Sequence, residues 1–472
     1  MPIIIPANSA AGGGFNVANS VRFDDGASSY LQKSASSGNR RTFTFSTWLK
    51  RSNLTSGTGS SYTTFFSSDV SGSNSFRFTF NDDSGSDDDK LMVYYYTGSH
   101  QLKLITNRQF RDTSAWYHIV LAVDTTQGTA SNRVKIYVNG VQETDFASSS
   151  YPSQNLQTSV NESGAPTRVG AGTSLYFDGY MSETVLLDGT AASPTSFGEF
   201  DDDSGVWKAI DVSGLTFGTN GFHLNYENSS ELGTDANGGT TLAETNLTAL
   251  NQSTDTCTNN FATMNFLSGS FSNNTLTEGN LLITVTSGWR WKPSTIAPSS
   301  GKWYAEFKPT SAAQIYTVPG AVPQVSWDSI DGETIGAGAG GENKSVGYAY
   351  DGAVIKGNST VYSGSSYTTN DIVGVAMDLD NFKIYFSKNG TFQNSGVPTS
   401  GATGTGGVTL DSSLTNWSLS PSAAGSAMAC NYGSAPYAIS SGNADGNGFG
   451  NFEYAVPSGY FALCSKNLAE YG

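Results

Sequence analysis

One pattern of apolar and polar positions occurs twice in this chain. Residues 118–124 read His-Ile-Val-Leu-Ala-Val-Asp, apolar at successive positions, and after a polar loop Arg133 to Gly140 alternates. There Val134, Ile136 and Val138 face one way, and Lys135 and Tyr137 the other. The second copy runs from Asp371 through Ile372-Val-Gly-Val-Ala-Met-Asp378 and returns as Lys383-Ile-Tyr-Phe-Ser-Lys-Asn-Gly390. A strand with no polar face predicts burial on both sides, and an alternating strand predicts one buried face. Asn-Gly follows each returning strand because a tight turn needs positive φ, which these residues tolerate best. Residues 42–48, 76–80 and 91–96 also read as strands, and Gly221 to Tyr226 as a strand that adds to the first sheet system. No sustained 3.6-residue period is present. The expected fold is all-β, with two antiparallel β-sandwich, jelly-roll-like domains.

The boundaries follow from composition. Residues 1–20 predict an N-terminal arm: Ile3, Ile4 and Ile5 lie between prolines and precede a run of glycines. Residues 21–200 predict the first sandwich and 281–472 the second. Residues 201–280 predict a Gly/Asn/Thr-rich connector, because 228–260 holds too few apolar residues for a core. The isoleucine triplet suits an anchor that docks on a neighbouring subunit, or an edge of the first sandwich.

Charge then narrows the partners. Charged residues make up 14% of the 472, and the net charge of −16 argues against a nucleic-acid binder, which needs Lys and Arg for phosphate. No apolar run reaches membrane-spanning length, so membrane insertion is not expected. The N-terminus lacks the basic and apolar regions of a secretory signal. Cys257, Cys430 and Cys464 are too few and scattered for a disulfide framework or zinc site, and free thiols are expected.

Phe43-x-Phe-Ser-x-Trp48, Trp116-Tyr-His118, Lys135-Ile-Tyr-Val-Asn-Gly140 and Phe177-Asp-Gly-Tyr-Met-Ser-Glu183 resemble the concanavalin A-like, laminin-G-like jelly roll. That resemblance implies a lectin-like sandwich binding glycans or proteins, sometimes through calcium, with some polysaccharide hydrolases among its relatives. Gly301-Lys-Trp-Tyr-Ala-Glu-Phe307, Ser345-Val-Gly-Tyr-Ala-Tyr-Asp-Gly352, residues 371–380 and Lys383 to Gly390 resemble the SPRY domain. This second resemblance implies a recognition module that binds through its loops. The order of the two modules, with residues 258–265 and 459–468, resembles bacteriophage virion proteins of the tail-fibre or appendage type. It implies location in the virion, other virion proteins as partners, a homo-oligomer, and a host-surface glycan or protein as receptor. A structural decoration or connector protein and a polysaccharide-degrading enzyme are the alternatives.

Glucanases on the jelly-roll fold carry a Glu-x-Asp-x-x-Glu strand, whose alternate carboxylates share one face for attack and proton donation. Here Glu199-Phe-Asp201 continues into Asp202-Asp203-Ser204-Gly205 without the closing glutamate, so no catalytic residue and no enzyme activity are expected. His118 reads as a structural imidazole. Gly336 to Gly341 matches a dinucleotide fingerprint only formally, since it opens no helix. No cofactor is expected. The one metal reading is calcium on Asp82, Asp83, Asp87, Asp88 and Asp89, with an exposed acidic turn as its alternative. For ligand binding, Tyr348, Tyr350, Asp351, Tyr362 and Tyr367 lie in or beside turns of the second sandwich. Tyrosine offers a ring for stacking and a hydroxyl for hydrogen bonding, although such residues also build β cores. Tyr362 and Tyr367, flanking residues 363–366, have the best claim to a loop site.

Overall fold

The twin hairpins form, and in both the closing asparagine ties the hairpin's end to the start of its first strand. Asn139 (φ 47°) receives the His118 N–H on Oδ1 at 2.8 Å and donates its own N–H to the His118 carbonyl at 2.8 Å. Asn389 (φ 47°) repeats both bonds with Ile372, again at 2.8 Å. Gly140 and Gly390 follow at φ 79°. The computed structural model describes residues 14–54, 62–82, 85–270, 272–311, 317–326, 335 and 344–472. The Ile3, Ile4 and Ile5 arm, Asp83 and the Gly336 to Gly341 loop lie outside them.

The chain divides between Thr258 and Asn259 into two units, each built from sheets that are antiparallel except where Phe461–Ala462 pairs in parallel with Lys302–Pro309. In the first unit one sheet runs Val141–Gln142, Val134–Val138, Tyr117–Asp124, Thr42–Arg51, Gly179–Asp188, Ser20–Phe23 and Gln252–Ser253, with Phe222–Leu224 also on Gly179–Asp188. The facing sheet runs Phe146–Ser150, His100–Gln109, Lys90–Tyr96, Asn74–Asn81, Tyr62–Ser71, Pro166–Val169, Tyr30–Ser34 and Ala243–Thr245. Alternate residues of both meet in the core: Phe43 packs on Phe76 at 5.6 Å and Phe45 stacks on Phe66 at 4.1 Å.

The strand at 118–124 lacks a polar face because its sheet is covered on both sides. Ile119, Leu121 and Val123 enter the sandwich core. Val120, with Val185 and Leu187, meets Phe197, Val212 and Phe217 on the other side. His118 sits under the same cover, stacked on Trp48 at 4.7 Å. Trp207 Nε1 donates to its Nδ1 at 2.9 Å, which leaves the proton on Nε2 to face Ser46 Oγ at 2.9 Å. Burial drives this imidazole down to about 3, so it is neutral and structural.

The expected connector belongs largely to this first unit. Phe222–Leu224 pairs with Gly179–Asp188 as the sequence predicts. Beyond it, Tyr226, Leu232, Leu242 and Leu247 enter the first core, and Asp255 pairs with Lys50 at 2.7 Å with both side chains 1% exposed. A return path along a sheet edge needs only a few apolar anchors, so low apolar content misread this segment as a linker. The second unit likewise starts earlier than expected: Phe261 bridges to Cys464 and Met264 is a core residue.

In the second unit the larger sheet runs Asn274–Thr277, Leu282–Val285, Ala427–Asn431, Lys302–Pro309, Val373–Asp378, Lys383–Lys388 and Thr391–Phe392. It faces a sheet of Ser359–Ser363, Ala353–Lys356, Val346–Tyr348, Gly320–Pro323 and Trp417–Ser420. Trp303, Phe307, Val375, Phe386, Trp417 and Leu419 fill the space between them. A short helix, Ser465–Tyr471, ends the chain. Among the described residues no helix is long and apolar enough to cross a membrane. The three cysteines are free, Cys430 and Cys464 buried and Cys257 half-buried.

Glu306 is the unusual group of this second core. It is fully buried and receives the backbone N–H groups of Glu453 at 2.9 Å and Tyr454 at 2.8 Å, the Tyr304 hydroxyl at 3.2 Å and the Asn431 amide at 3.4 Å. Burial nevertheless dominates and lifts its carboxyl to about 7 from an ordinary 4.5, the donors pulling the other way. A carboxyl whose folded pKa exceeds its unfolded value weakens the fold as pH rises between the two. The second unit should therefore lose on the order of 3 kcal/mol between pH 4.5 and 7 from this group. Urea unfolding at pH 5 and pH 8 should show that slope in the native chain and a flatter one in Glu306→Gln. An equal slope in both would assign the pH dependence elsewhere.

Candidate functional site

The Lys90–Tyr96 strand is apolar on both faces. Leu91, Val93 and Tyr95 enter the core, whereas Met92 and Tyr94 form an outer cluster with Ile105, and Tyr62 and Tyr96 pack at its edge. Tyr94 lies 6.3 Å from Tyr62 and edge-to-face with His100 at 5.6 Å, and His100 meets Tyr96 the same way at 5.3 Å. The result is an aromatic shelf on the outer face of the second sheet. Tyr62 and Tyr96 are half-buried and His100 is exposed, so the shelf reaches solvent.

A charged clamp holds it. Arg77 Nε bonds both carboxylate oxygens of Asp69, at 3.0 and 2.9 Å, and Asp69 also receives the Thr173 N–H at 2.8 Å. Arg77 Nη1 then donates to the Tyr94 hydroxyl at 2.9 Å. Burial raises the Tyr94 phenol to about 12, so it keeps its proton, which goes to no described residue. Burial and the Lys103 ammonium hold His100 below its ordinary range, so near neutral pH its ring is mainly uncharged. The shelf thus offers stacking surfaces, a fixed hydroxyl donor and a neutral imidazole, a combination suited to a polyhydroxylated ring. Sequence reasoning marked 91–96 as a strand and missed the site; the signal was Met92, Tyr94 and Tyr96 on the face opposite the core.

The expected tyrosine site on the second unit divides. Tyr348 is fully buried and Tyr367 is 4% exposed, and both are core residues. The Tyr367 hydroxyl points at the carbonyls of Thr317 at 2.6 Å and Tyr348 at 2.9 Å. These two are not ligand contacts, because the loop that carries Tyr367 folds back onto the sheet. Tyr350 and Tyr362 are half-buried against the same core. Asp351 caps its own turn, accepting from the Ala353 N–H at 3.0 Å.

The acidic stretch is neither an open turn nor a free ligand set. Asp82, Asp88 and Asp89 place carboxylate oxygens within 4.8 Å of one another. Arg51, however, binds Asp82 and Asp89 at 2.9 Å each, and Arg111 binds Asp89 at 2.7 Å. Asp87 pairs with Lys90 at 3.0 Å. The positive charge a calcium ion would bring is already supplied by guanidinium groups, so this donor set fits such an ion poorly. Glu199 and Asp201 share Lys208, at 3.3 and 3.1 Å, on an exposed hairpin. Ser204 and Lys208 hold Asp201 down to about 2, far from the range of a proton donor.

Residues 25–195 match the model of the family described as the concanavalin A-like lectin/glucanases superfamily. No curated protein matches the chain. Among solved structures, the SPRY domain of human HERC1 is similar at 15% identity and a TM-score of 0.25, over 32% of this chain and 87% of that one. A human SPRY domain is similar at 15% identity and a TM-score of 0.26, over 36% and 98%. Domain 4 of AbnA, a GH43 extracellular arabinanase from Geobacillus stearothermophilus in complex with arabinotriose, is similar at 18% identity and a TM-score of 0.26, over 35% and 69%.

Proposed function

We propose that this chain is a non-enzymatic glycan-binding protein of the bacteriophage virion, a fibre or appendage subunit that holds host-surface polysaccharide. The observation that carries the glycan reading is the shelf of Tyr62, Tyr94, Tyr96 and His100 on a sandwich whose residues 25–195 match a lectin/glucanase family. The place in a virion rests on the order of the two modules and on the resemblance of residues 258–265 and 459–468. The missing closing glutamate and the ionised state in which Ser204 and Lys208 hold Asp201, which bars it from serving as the acid, favour binding over hydrolysis. Single sites of this kind bind weakly, and several copies in a homo-oligomer would raise their joint avidity.

The test is a neutral-glycan array followed by calorimetry on the best ligand. Replacing both Tyr96 and His100 with alanine should weaken binding by about fivefold to 150-fold, from roughly 0.5–1.5 kcal/mol for each of the two lost ring contacts. The melting temperature should stay near that of the native chain, because neither residue is part of the sandwich core. Unchanged affinity would remove the shelf as the site. Release of new reducing ends from the bound polysaccharide would overturn the non-enzymatic reading.

A further inference from the structure

A polar cleft lies elsewhere on the first unit, between two loops distant in sequence. Residues 37–41 and residues 157–163 line an open cleft of about 580 Å³ whose walls are Ser37, Gly38, Asn39, Arg40, Arg41, Gln157, Asn161, Glu162 and Ser163. A volume of this size holds a small ligand, and every lining residue but Gly38 carries a polar side chain.

The loops are fixed from beneath by a buried carboxylate. Asp188 receives the Asn39 N–H at 2.7 Å, the Asn161 amide at 3.0 Å, and both the backbone and side-chain N–H groups of Asn220 at 3.1 Å. Asn220 in turn binds Ser36 through its N–H at 2.7 Å and its carbonyl at 2.9 Å. Gly38 fits only because it lacks a side chain: a Cβ there would come within 2.2 Å of Asp188 Oδ2. The cleft is therefore preformed, which suits binding without an ordering cost.

Its two arginines differ. Arg40 is engaged, with Nε on the Thr158 carbonyl at 2.6 Å and Nη2 on Glu162 at 2.8 Å. The Arg41 guanidinium makes no ion pair or hydrogen bond with any described residue, and its buried Nε has no partner. Asn161 is fully buried, and its Oδ1 is also without a partner. Such atoms are costly to leave unmade. The walls thus carry one uncompensated guanidinium, in a chain of net charge −16, beside amide, hydroxyl and carboxylate groups.

We infer that this cleft binds a carboxylate-bearing sugar of the uronate class, Arg41 taking the carboxylate in a forked contact and the amide and hydroxyl walls taking the ring hydroxyls. The inference extends the glycan reading to acidic residues of the polysaccharide, but it stands on residues apart from the aromatic shelf.

The test is calorimetry of the full chain with glucuronate, glucose and inorganic sulfate at constant ionic strength. Glucuronate should bind at least tenfold more tightly than either of the others. Arg41→Ala should lose that preference tenfold or more with no change in melting temperature, and Arg41→Lys should keep only part of it, since an ammonium lacks the fork. Equal binding of glucuronate and glucose, or native binding by Arg41→Ala, would overturn the assignment. Sulfate binding as tightly as glucuronate would reduce the site to an anion hole and overturn it too. If glucuronate binding survives Tyr96→Ala/His100→Ala but not Arg41→Ala, the cleft is supported, whatever becomes of the shelf. If the shelf variant alone abolishes it, the uronate sits on the shelf and the cleft assignment fails.

Discussion

Arg51→Ala should lower the stability of the first unit by about 3–5 kcal/mol, the loss typical of breaking a buried ion pair from one side. Arg51 is fully buried, with Nη1 on Asp89 at 2.9 Å and on the Phe110 carbonyl at 2.8 Å, Nη2 on Asp82 at 2.9 Å, and its plane 4.5 Å from the Phe80 ring. Removing it strips the buried Asp82 of its guanidinium partner and leaves Asp89 with Arg111 alone. Burial already lifts Asp82 to about 6 with the guanidinium beside it. Without Arg51, burial and Asp89 push that carboxyl higher, and only the Thr63 hydroxyl still pulls it down. A raised carboxyl weakens the fold as pH climbs through its shifted range, so the loss should be larger at pH 8 than at pH 5. Urea unfolding at both values measures this. Arg51→Lys should recover part of the loss, keeping the charge without the fork. Calcium should leave the melting temperature of the native chain unchanged, because Arg51 and Arg111 hold the oxygens it would need. A clear rise with calcium would restore the metal reading of this cluster.

Tyr367→Ala should cost the second unit about 3–5 kcal/mol, the usual penalty for truncating a buried aromatic residue. The ring packs edge-to-face on Tyr348 at 5.2 Å, and the hydroxyl closes onto two carbonyls. Tyr367→Phe keeps the ring and should lose only about 1–2 kcal/mol, from carbonyls left without their donor. Chemical unfolding resolves the two variants. If Tyr367→Ala instead unfolds like the native chain while losing a ligand, Tyr367 belongs to a loop site after all.

The strands themselves were legible because burial imposes a period on them. The twin hairpins, the Asn-Gly turns and the added strand at 222–224 needed only local rules: alternation, double-sided apolarity and positive φ. Even the structural role of His118 followed from its place in a doubly buried strand. The shelf was half legible, since Met92, Tyr94 and Tyr96 stand opposite Leu91, Val93 and Tyr95. What that second apolar face was for depended on Arg77 and His100 arriving from neighbouring strands.

Tertiary structure alone decided which polar and aromatic groups are free. Tyr362 and Tyr367 look alike beside the same turn, yet one is half-buried and the other sealed in. Gly352, at φ 98°, lets the 364–367 segment lie close enough for Gly364 to bond Gly352 and for Tyr367 to bond Tyr350. For the aspartates of 82–89 the sequence offered an exposed acidic turn or calcium ligands, and no local pattern showed that Arg51, from a distant strand, pairs with Asp82 and Asp89. Leu232, Leu242 and Leu247, too sparse to signal a core, became one by lying over a sheet edge. Arg40 and Glu162 are 122 positions apart, and no local pattern announces that their loops line one cleft. Periodicity reports which face of a strand is buried; it carries no information about which distant side chain supplies the partner.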